Sequence, residues 1–253
     1  MSGIELCWET RLLATCDRQI YVILMSSSQD RHKLIEALDC GADDYIGKPP
    51  VAEELYARLR AAERVATMQQ ELIRLATTDS LTGVLNRRAF FERAGEAGSR
   101  AQAGASLSAI IFDIDHFKRV NDLYGHDVGD RAIGAVAQEA AAASTLVGRL
   151  GGEEFAMLLA GQGLDDALAL AERLRGKMSA LQFDTSHGPL SITCSFGVST
   201  WEGVDTIDLL LKRADVALYA AKTGGRNRVI AADARQACDV APPGSRLRAV
   251  ARG

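Results

Sequence analysis

Residues 147–160, VGRLGGEEFAMLLA, place two glycines and two carboxylates between two apolar segments. The glycine pair suits a tight turn, because glycine adopts positive φ angles without steric cost. The stretch therefore predicts a β-hairpin with strands over 147–150 and 154–160, and it puts Glu153 and Glu154 at the lip of that hairpin. Because burying an unpaired charge is costly, we expect these two carboxylates to face a cation.

A second stretch, SAIIFDIDHFKRVND over residues 108–122, ends an apolar run with two aspartates. Alternate side chains of a strand share a face, so a strand over 107–114 would project Asp113 and Asp115 together while Ile114 points into the core. Carboxylates at a frayed, exposed strand end would need no cation, but the apolar run before them indicates a central strand.

The two stretches together predict a metal site. If the hairpin lies beside the strand, Asp113 and Glu153 converge on one hard divalent cation. Such a cation takes oxygen ligands and tolerates a main-chain carbonyl such as that of Ile114. The cation would then balance the charges at the lip of the hairpin.

The composition is that of an ordinary globular protein. The chain has 253 residues, 47% hydrophobic and 25% charged, which is enough for one large or two modest domains, and we expect two. Its net charge of −4 argues against a protein that coats nucleic acid through bulk positive charge. Five scattered cysteines without Cys-x-x-Cys spacing indicate neither a disulfide framework nor a zinc site. Without a long apolar run or a signal segment, we expect a cytoplasmic protein with no membrane partner.

The first third of the chain predicts a β/α unit that leads into a long helix. Residues 20–26 form a short apolar run typical of a fully buried parallel strand, and a helix and a brief strand follow before Val51. Beyond it, apolar residues recur at steps of three and four: Leu55, Leu59, Ala62, Val65, Met68, Leu72 and Leu75. This seam is typical of a coiled coil or of a helix shared with a partner. The alternative is a helix that packs only on its own domain.

Beyond residue 78 the pattern predicts an α+β domain. Strands separated by helices, with two adjacent hairpin strands, favour a central, mostly antiparallel sheet flanked by helices. The predicted helices begin at 87 and cover 128–143, 164–180 and 206–223, and the predicted strands cover 107–114, 147–150, 154–160 and 190–198. Residues 234–253 lack periodicity and contain Pro-Pro-Gly, so they predict a mobile tail.

Four motifs in this part of the chain carry a family resemblance. In order, they are DSLTGVLNRR from Asp79, DIDHFKRVND from Asp113, GHDVGD from Gly125 and GGEEF from Gly151. Together they closely resemble the GGDEF family of diguanylate cyclases, over about residues 76–231. The resemblance implies a palm-like polymerase fold that joins two GTP molecules into cyclic di-GMP with release of pyrophosphate.

The resemblance also implies which residues act in catalysis. Asp113, the Ile114 carbonyl and Glu153 match the family's ligands for Mg²⁺ or Mn²⁺, which assists attack of a 3′-hydroxyl on an α-phosphate. Glu153 or Glu154 can also assist deprotonation of that hydroxyl, and the sequence leaves both open. Lys118 matches a residue whose charge stabilises the triphosphate.

The substrate contacts that the resemblance implies are His116, Phe117, Asn121, His126, Asp130, Lys222 and Arg226. The first two contribute backbone amides to a phosphate cradle, Asn121 and Asp130 read guanine, and His126 approaches the ribose. Lys222 and Arg226 resemble a second set of phosphate contacts. Their alternative is a solvated helix end, which favours basic residues.

One departure from the family bears on regulation. Many members carry an Arg-x-x-Asp product-inhibition motif shortly before the signature, and here the matching stretch is Ala142-Ala143-Ser144-Thr145. Neither a guanidinium nor a carboxylate is left there to hold a guanine base, so we expect the usual feedback inhibition to be lost. Arg173 weakly matches a secondary arginine of that site.

The N-terminal part carries a second resemblance. The segments MSGIEL, YVILMSSSQDRHKLIEALDCGADDYIGKP and ELYARLRAAERV look like the second half of a response-regulator receiver domain. Ser26 stands at its switch hydroxyl and Lys48 at the lysine before its proline. The family's acidic metal pocket and phosphorylated aspartate lie upstream of the first segment. The resemblance therefore implies a truncated α/β receiver that is not phosphorylated in the usual way.

A truncated sheet also predicts assembly, because open strand edges favour pairing with a second chain. We expect a homodimer through residues 1–77, in which each protomer binds one GTP and the dimer geometry controls the rate. The alternative from another class is a catalytically silent module that binds GTP or cyclic di-GMP. The expected organisation is a truncated receiver-like domain over 1–54, a connector helix over 55–77, a GGDEF domain over 78–233 and the tail over 234–253.

Overall fold

The computed structural model contains two compact units, residues Met1–Ala76 and Thr77–Gly253. The residues that it describes are 2–13, 20–27, 31–144, 146–186, 188–203 and 205–233. The predicted tail over 234–253 lies outside them. The roles predicted for the segments 1–54, 55–77 and 78–233 stay predictions.

In its described residues, the first unit contains three helices and two strands. They are α1 (Gly3–Leu13), β1 (Ile23–Ser26), α2 (Arg31–Asp39), β2 (Asp44–Gly47) and α3 (Ala52–Thr77). The two strands pair in parallel, from Ile23 opposite Asp44 to Ser26 opposite Gly47. The prediction of a fully buried strand was wrong, because β1 is only half-buried and Met25 is 38% exposed. A strand in a two-stranded sheet is covered less completely than a central strand.

The predicted apolar seam lies along α3, a helix of 26 residues. Five of its members leave between 39% and 66% of their surface accessible: Leu59, Val65, Met68, Leu72 and Leu75. Ala62, the member of the seam between Leu59 and Val65, is buried. An exposed apolar stripe of this kind is typical of an association surface.

Among the described residues, no helix combines the length and the hydropathy that a bilayer span requires.

The second unit is an α+β domain with a mixed central sheet, which confirms the predicted fold class in its broad form. Its helices are α4 (Arg87–Gln102), α5 (Phe117–Tyr124), α6 (His126–Ala143), α7 (Leu164–Ser179) and α8 (Ile207–Thr223). Its strands are β3 (Leu107–Ile114), β4 (Val147–Gly151), β5 (Glu154–Ala160), β6 (Gln182–Thr185), β7 (Gly188–Ser191), β8 (Cys194–Thr200) and β9 (Val229–Ala231). The main sheet has the order β4-β5-β3-β8-β9, and its pairs are antiparallel except for β8 with β9.

Three elements of this unit differ from the sequence-based prediction. The strand predicted over 190–198 is divided between β7, which pairs with β6 in a separate hairpin, and β8, which joins the main sheet. Residues 117–124 form a helix of their own, and residues 229–231 add an edge strand. β6, β7 and β9 have only three or four residues each, too few to show a clear hydrophobic period.

Strand β3 is the centre of the domain, with all eight residues buried. Ile110, Phe112 and Ile114 join the core formed with α5, α6 and α7, whereas Leu107, Ala109 and Ile111 join the core formed with α4 and α8. Phe112 stacks against Phe155 at 5.3 Å and against Phe196 at 5.2 Å between ring centroids. Because successive side chains of a strand point to opposite faces, β3 contributes apolar residues to the cores on both sides of the sheet.

Helix α8 lies close against β8 because Gly197 has no side chain. A Cβ atom at Gly197 would stand 2.0 Å from the Ala214 carbonyl oxygen and 2.3 Å from the Leu218 nitrogen, both in the backbone of α8. This close approach fixes the distance between the sheet and the helix that carries Lys222 in its last turn.

Candidate active site

Asp113 lies near the end of β3, opposite Glu154 of β5 and Ser195 of β8. Its residue is 9% exposed, and Lys222 Nζ lies 2.8 Å from its Oδ2. The pKa of the Asp113 carboxyl is raised to about 6, chiefly by burial; the Lys222 ammonium opposes this rise, and the charges of Glu153 and Asp115 add to it. A buried carboxylate with other carboxylates nearby is a strong ligand for a cation.

The hairpin brings Glu153 to the same place. β4 and β5 pair antiparallel with a register shift at Gly151, and Gly152 has a φ of 57° in the left-handed region. Glu153 follows in the turn, is half-buried, and lies near enough to Asp113 to raise the pKa of that carboxyl. Glu153 thus lies in the turn that precedes β5, the strand paired with the end of β3 that carries Asp113.

Arg149, which belongs to none of the quoted motifs, holds this hairpin in position. Its Nη1 donates to Asp79 Oδ1 at 3.0 Å and to Oδ2 at 3.2 Å, and its Nε donates to the Gly152 carbonyl at 2.8 Å. Burial alone would raise the pKa of Asp79, but hydrogen bonds from Thr82 and Arg149 bring it below its usual value. A buried arginine in an apolar strand is costly unless a carboxylate compensates its charge. The arginine between the apolar residues of β4 was therefore the sequence signal for an acidic partner.

Asp115 has a different role from the one expected. Its carboxylate accepts hydrogen bonds from Thr193 Oγ1 at 2.7 Å, Ser195 Oγ at 2.6 Å and the Asn227 backbone nitrogen at 3.0 Å. These donors satisfy the charge without a metal ion, so the expectation that Asp115 needs a cation was wrong. Asp115 instead ties the end of β3 to the turn after α8, which contains Arg226.

The residues expected at the phosphates lie at two helix ends. His116 has a φ of 55°, and α5 begins beside it at Phe117. The first amides of a helix have no acceptor within the helix, so this end suits an anion. Phe117 is buried and Lys118 exposed. At the end of α8, Arg226 is half-buried and has a φ of 60°.

The residues expected at guanine lie where α5 meets α6. In the described residues, Asn121 Oδ1 is buried without a hydrogen-bond partner. A Cβ atom at Gly129 would stand 2.0 Å from that oxygen, so only glycine leaves the Asn121 amide in place. Asp130, the next residue, and His126, at the start of α6, are exposed. Gly129 is a further residue that the motif GHDVGD contains and whose role the sequence did not reveal.

Comparison with known proteins identifies the family. Residues 76–228 match the family model described as diguanylate cyclase, GGDEF domain. The chain belongs to the GGDEF family. This confirms the resemblance drawn from the four sequence motifs.

Individual GGDEF proteins show how far the likeness extends. Response regulator PleD of Caulobacter vibrioides (strain NA1000 / CB15N) is 38% identical over 227 residues, covering 84% of this chain and 50% of PleD. Diguanylate cyclase DgcM of Escherichia coli (strain K12) is 42% identical over 169 residues, covering 65% of this chain and 40% of DgcM. The crystal structure of the coiled coil and GGDEF domain of DgcB from Caulobacter crescentus, in complex with c-di-GMP, has a TM-score of 0.64 and 34% identity, covering 70% of this chain and 99% of that one. The chain spans about half the length, or less, of these curated relatives.

The GGDEF signature offers a small set of metal ligands. Within the described residues, no three His, Cys, Asp or Glu side chains are grouped so as to hold a metal ion. The candidate set is therefore two carboxylates, Asp113 and Glu153, with the Ile114 carbonyl at the end of β3. All three are hard oxygen donors, which fit Mg²⁺ or Mn²⁺, and the cation would take its other ligands from phosphate and water.

The stretch at the position of the family's product-inhibition motif has a structural contact of its own. Ala142 and Ala143 end α6, and the Ser144 hydroxyl accepts from the Leu146 nitrogen at 3.3 Å and donates to the Leu158 carbonyl at 3.4 Å. Thr145 lies outside the described residues. Arg173 is exposed on α7.

Proposed function

We propose that this chain is a diguanylate cyclase that condenses two GTP molecules into cyclic di-GMP and releases pyrophosphate. The observation that carries the proposal is the buried Asp113 carboxylate beside Glu153 at the lip of the GGEEF hairpin. The likeness to proteins named diguanylate cyclases, and to GGDEF structures in complex with c-di-GMP, supports the same reaction.

The metal ligands would be Asp113, the Ile114 carbonyl and Glu153. When bound there, Mg²⁺ or Mn²⁺ would neutralise charge on the triphosphate and favour attack on the α-phosphate. Glu153 or Glu154 would accept the proton of the attacking 3′-hydroxyl. Glu154 is the residue paired with Asp113 across the strands, so both glutamates are within the same acidic cluster.

The other motif residues would bind and orient GTP. Lys118 and the amides of His116 and Phe117 would hold the triphosphate from the start of α5, and Lys222 and Arg226 would hold it from the end of α8. The guanine contacts would be Asn121 and Asp130, with His126 near the ribose. The buried, unpartnered Asn121 oxygen in the described part of the chain supports a polar ligand at this place.

Two GTP molecules must face each other, so we propose a homodimer that forms through residues 1–77. The exposed apolar stripe of α3 supports this assembly. Static light scattering at micromolar concentration is expected to give twice the mass of one chain. A monomeric mass under these conditions would contradict the dimer.

Residues 1–54 would be a segment related to receiver domains. PleD, whose name is response regulator, matches 84% of this chain, more than residues 76–253 alone supply, so part of the likeness lies in residues 1–75. The pairing of β1 with β2 brings Ser26 and Lys48 to neighbouring strand ends. There the backbone nitrogen of Lys48 donates to the backbone carbonyl of Ser26 at 2.8 Å. We propose that this segment and α3 set the geometry of the dimer.

The chain would also lack the usual product-inhibition site. Ala142 and Ala143 offer neither the guanidinium nor the carboxylate with which the family's Arg-x-x-Asp motif would hold a guanine base. Cyclic di-GMP added at low micromolar concentration is therefore expected to leave the initial rate of GTP turnover unchanged. Half-maximal inhibition in that range, measured by pyrophosphate release, would overturn this part of the proposal.

The proposed reaction is tested by incubating the full chain with GTP and Mg²⁺ and separating the products by chromatography. Cyclic di-GMP is expected from GTP, and none of the corresponding product is expected from ATP. Binding of GTP without turnover would instead identify a catalytically silent module, and turnover of ATP would identify a different nucleotidyl cyclase.

A further inference from the structure

Lys222 occupies an unusual place for a residue that would bind phosphate. Its ammonium lies 2.8 Å from Asp113 Oδ2, on a proposed metal ligand. The Asp113 side chain is 12% exposed and that of Lys222 is 32% exposed, so the pair is sheltered from solvent on the carboxylate side. Such a pair is weakened less by water and salt than a pair on the open surface.

The acidic surroundings explain why the lysine lies there. The Asp113 carboxylate is buried, and two further carboxylates act on it electrostatically: that of Glu153, from the turn of the hairpin, and that of Asp115, two residues along the chain. Asp115 has two hydroxyls and one backbone amide as its own donors. Lys222 therefore supplies the positive charge that contacts the Asp113 carboxylate.

We infer that Lys222 substitutes for the divalent cation on Asp113 in the metal-free protein and moves to the triphosphate when metal and nucleotide bind. The inference rests on the proposed function. Lys222 and a divalent cation on the Asp113 carboxylate repel each other, so the metal ion competes with Lys222 for this carboxylate. The four-carbon stem of lysine carries a mobile charge that can take a second partner.

This exchange means that Lys222 affects the affinity for metal alone and the affinity for nucleotide in opposite directions. Metal alone competes with the Lys222 charge at Asp113, so Lys222 weakens the binding of metal alone. A triphosphate gives the released ammonium a new anionic partner, so Lys222 strengthens nucleotide binding. Metal and nucleotide would thus bind with positive coupling through one side chain.

The test compares the full chain with its Lys222→Gln and Arg226→Gln variants. Binding of Mn²⁺ alone is measured by the loss of its free electron paramagnetic resonance signal, and binding of a non-hydrolysable GTP analogue at saturating Mn²⁺ is measured by calorimetry. Lys222→Gln is expected to bind Mn²⁺ alone about tenfold more tightly and the analogue about tenfold more weakly. Arg226→Gln, the matched control at the same end of α8, is expected to weaken only the analogue.

The outcomes separate this inference from the proposed function. If Lys222→Gln binds Mn²⁺ alone no more tightly than the unmodified chain, the inference is wrong. Asp113→Asn is expected to lose Mn²⁺ binding, and if it binds Mn²⁺ as the unmodified chain does, the metal site and with it the inference are wrong. Thermal unfolding of each variant shows that it is folded, and Lys222→Arg, which keeps the charge, is expected to retain weak binding of Mn²⁺ alone.

Discussion

Glu153→Ala is expected to slow cyclic di-GMP formation by about a hundred- to a thousandfold, the size of effect that loss of several kcal/mol of charge stabilisation produces. The substitution removes one of the two carboxylates that would hold the divalent cation. Because Glu153 lies in the turn of the hairpin and is only half-buried, the fold should tolerate the change. The initial rate is measured by chromatography with GTP and Mg²⁺.

The matched control for this experiment is Glu96→Ala. Glu96 is an exposed glutamate on α4, so its loss changes the net charge equally without touching the acidic cluster. The control is expected to keep the unmodified rate. A Glu153→Ala protein that retains most of its activity would show that the metal is held elsewhere.

Gly197→Ala is expected to lower the free energy of unfolding by about 3 kcal/mol or more, the upper part of the range for overpacked positions. The added methyl group would lie 2.0 Å from the Ala214 carbonyl oxygen and 2.3 Å from the Leu218 nitrogen. Both are backbone atoms, so no rotation of a side chain relieves the contact. Either α8 moves away from β8 or the domain does not fold.

Gly134→Ala provides the control for backbone and composition effects. Gly134 lies within α6, and a Cβ atom there would meet nothing within 4 Å. Replacing a helical glycine by alanine stabilises a helix by about 0.5–1 kcal/mol, so this variant should be as stable as the unmodified chain or slightly more. Urea unfolding followed by circular dichroism compares the two, and equal midpoints for Gly197→Ala and the unmodified chain would refute the packing argument.

The central part of the second unit could be predicted from the sequence because its signals are local. The apolar run that ends at Asp113 and the glycine pair of the hairpin predict β3, β4 and β5 within one residue of their observed limits. A strand period and a turn residue each act over a few neighbouring positions. Their pairing then follows from the short connection between β4 and β5.

The contacts that complete the site could not be predicted because their partners are distant in sequence. Arg149 donates to Asp79, 70 positions earlier in the sequence, and the Asn227 backbone nitrogen donates to Asp115, 112 positions earlier. No local pattern shows that Asp113 faces Lys222 whereas Asp115 faces hydroxyl donors. These choices depend on how α8 and β8 pack against the end of β3.

The most direct test of the account is the position of the metal ion. Crystals of the full chain grown with Mn²⁺ and a non-hydrolysable GTP analogue can be measured at the manganese absorption edge. The account predicts an anomalous peak about 2.0–2.6 Å from a carboxylate oxygen of Asp113 and from one of Glu153, close to the triphosphate. A manganese peak that contacts the nucleotide but neither carboxylate would contradict it.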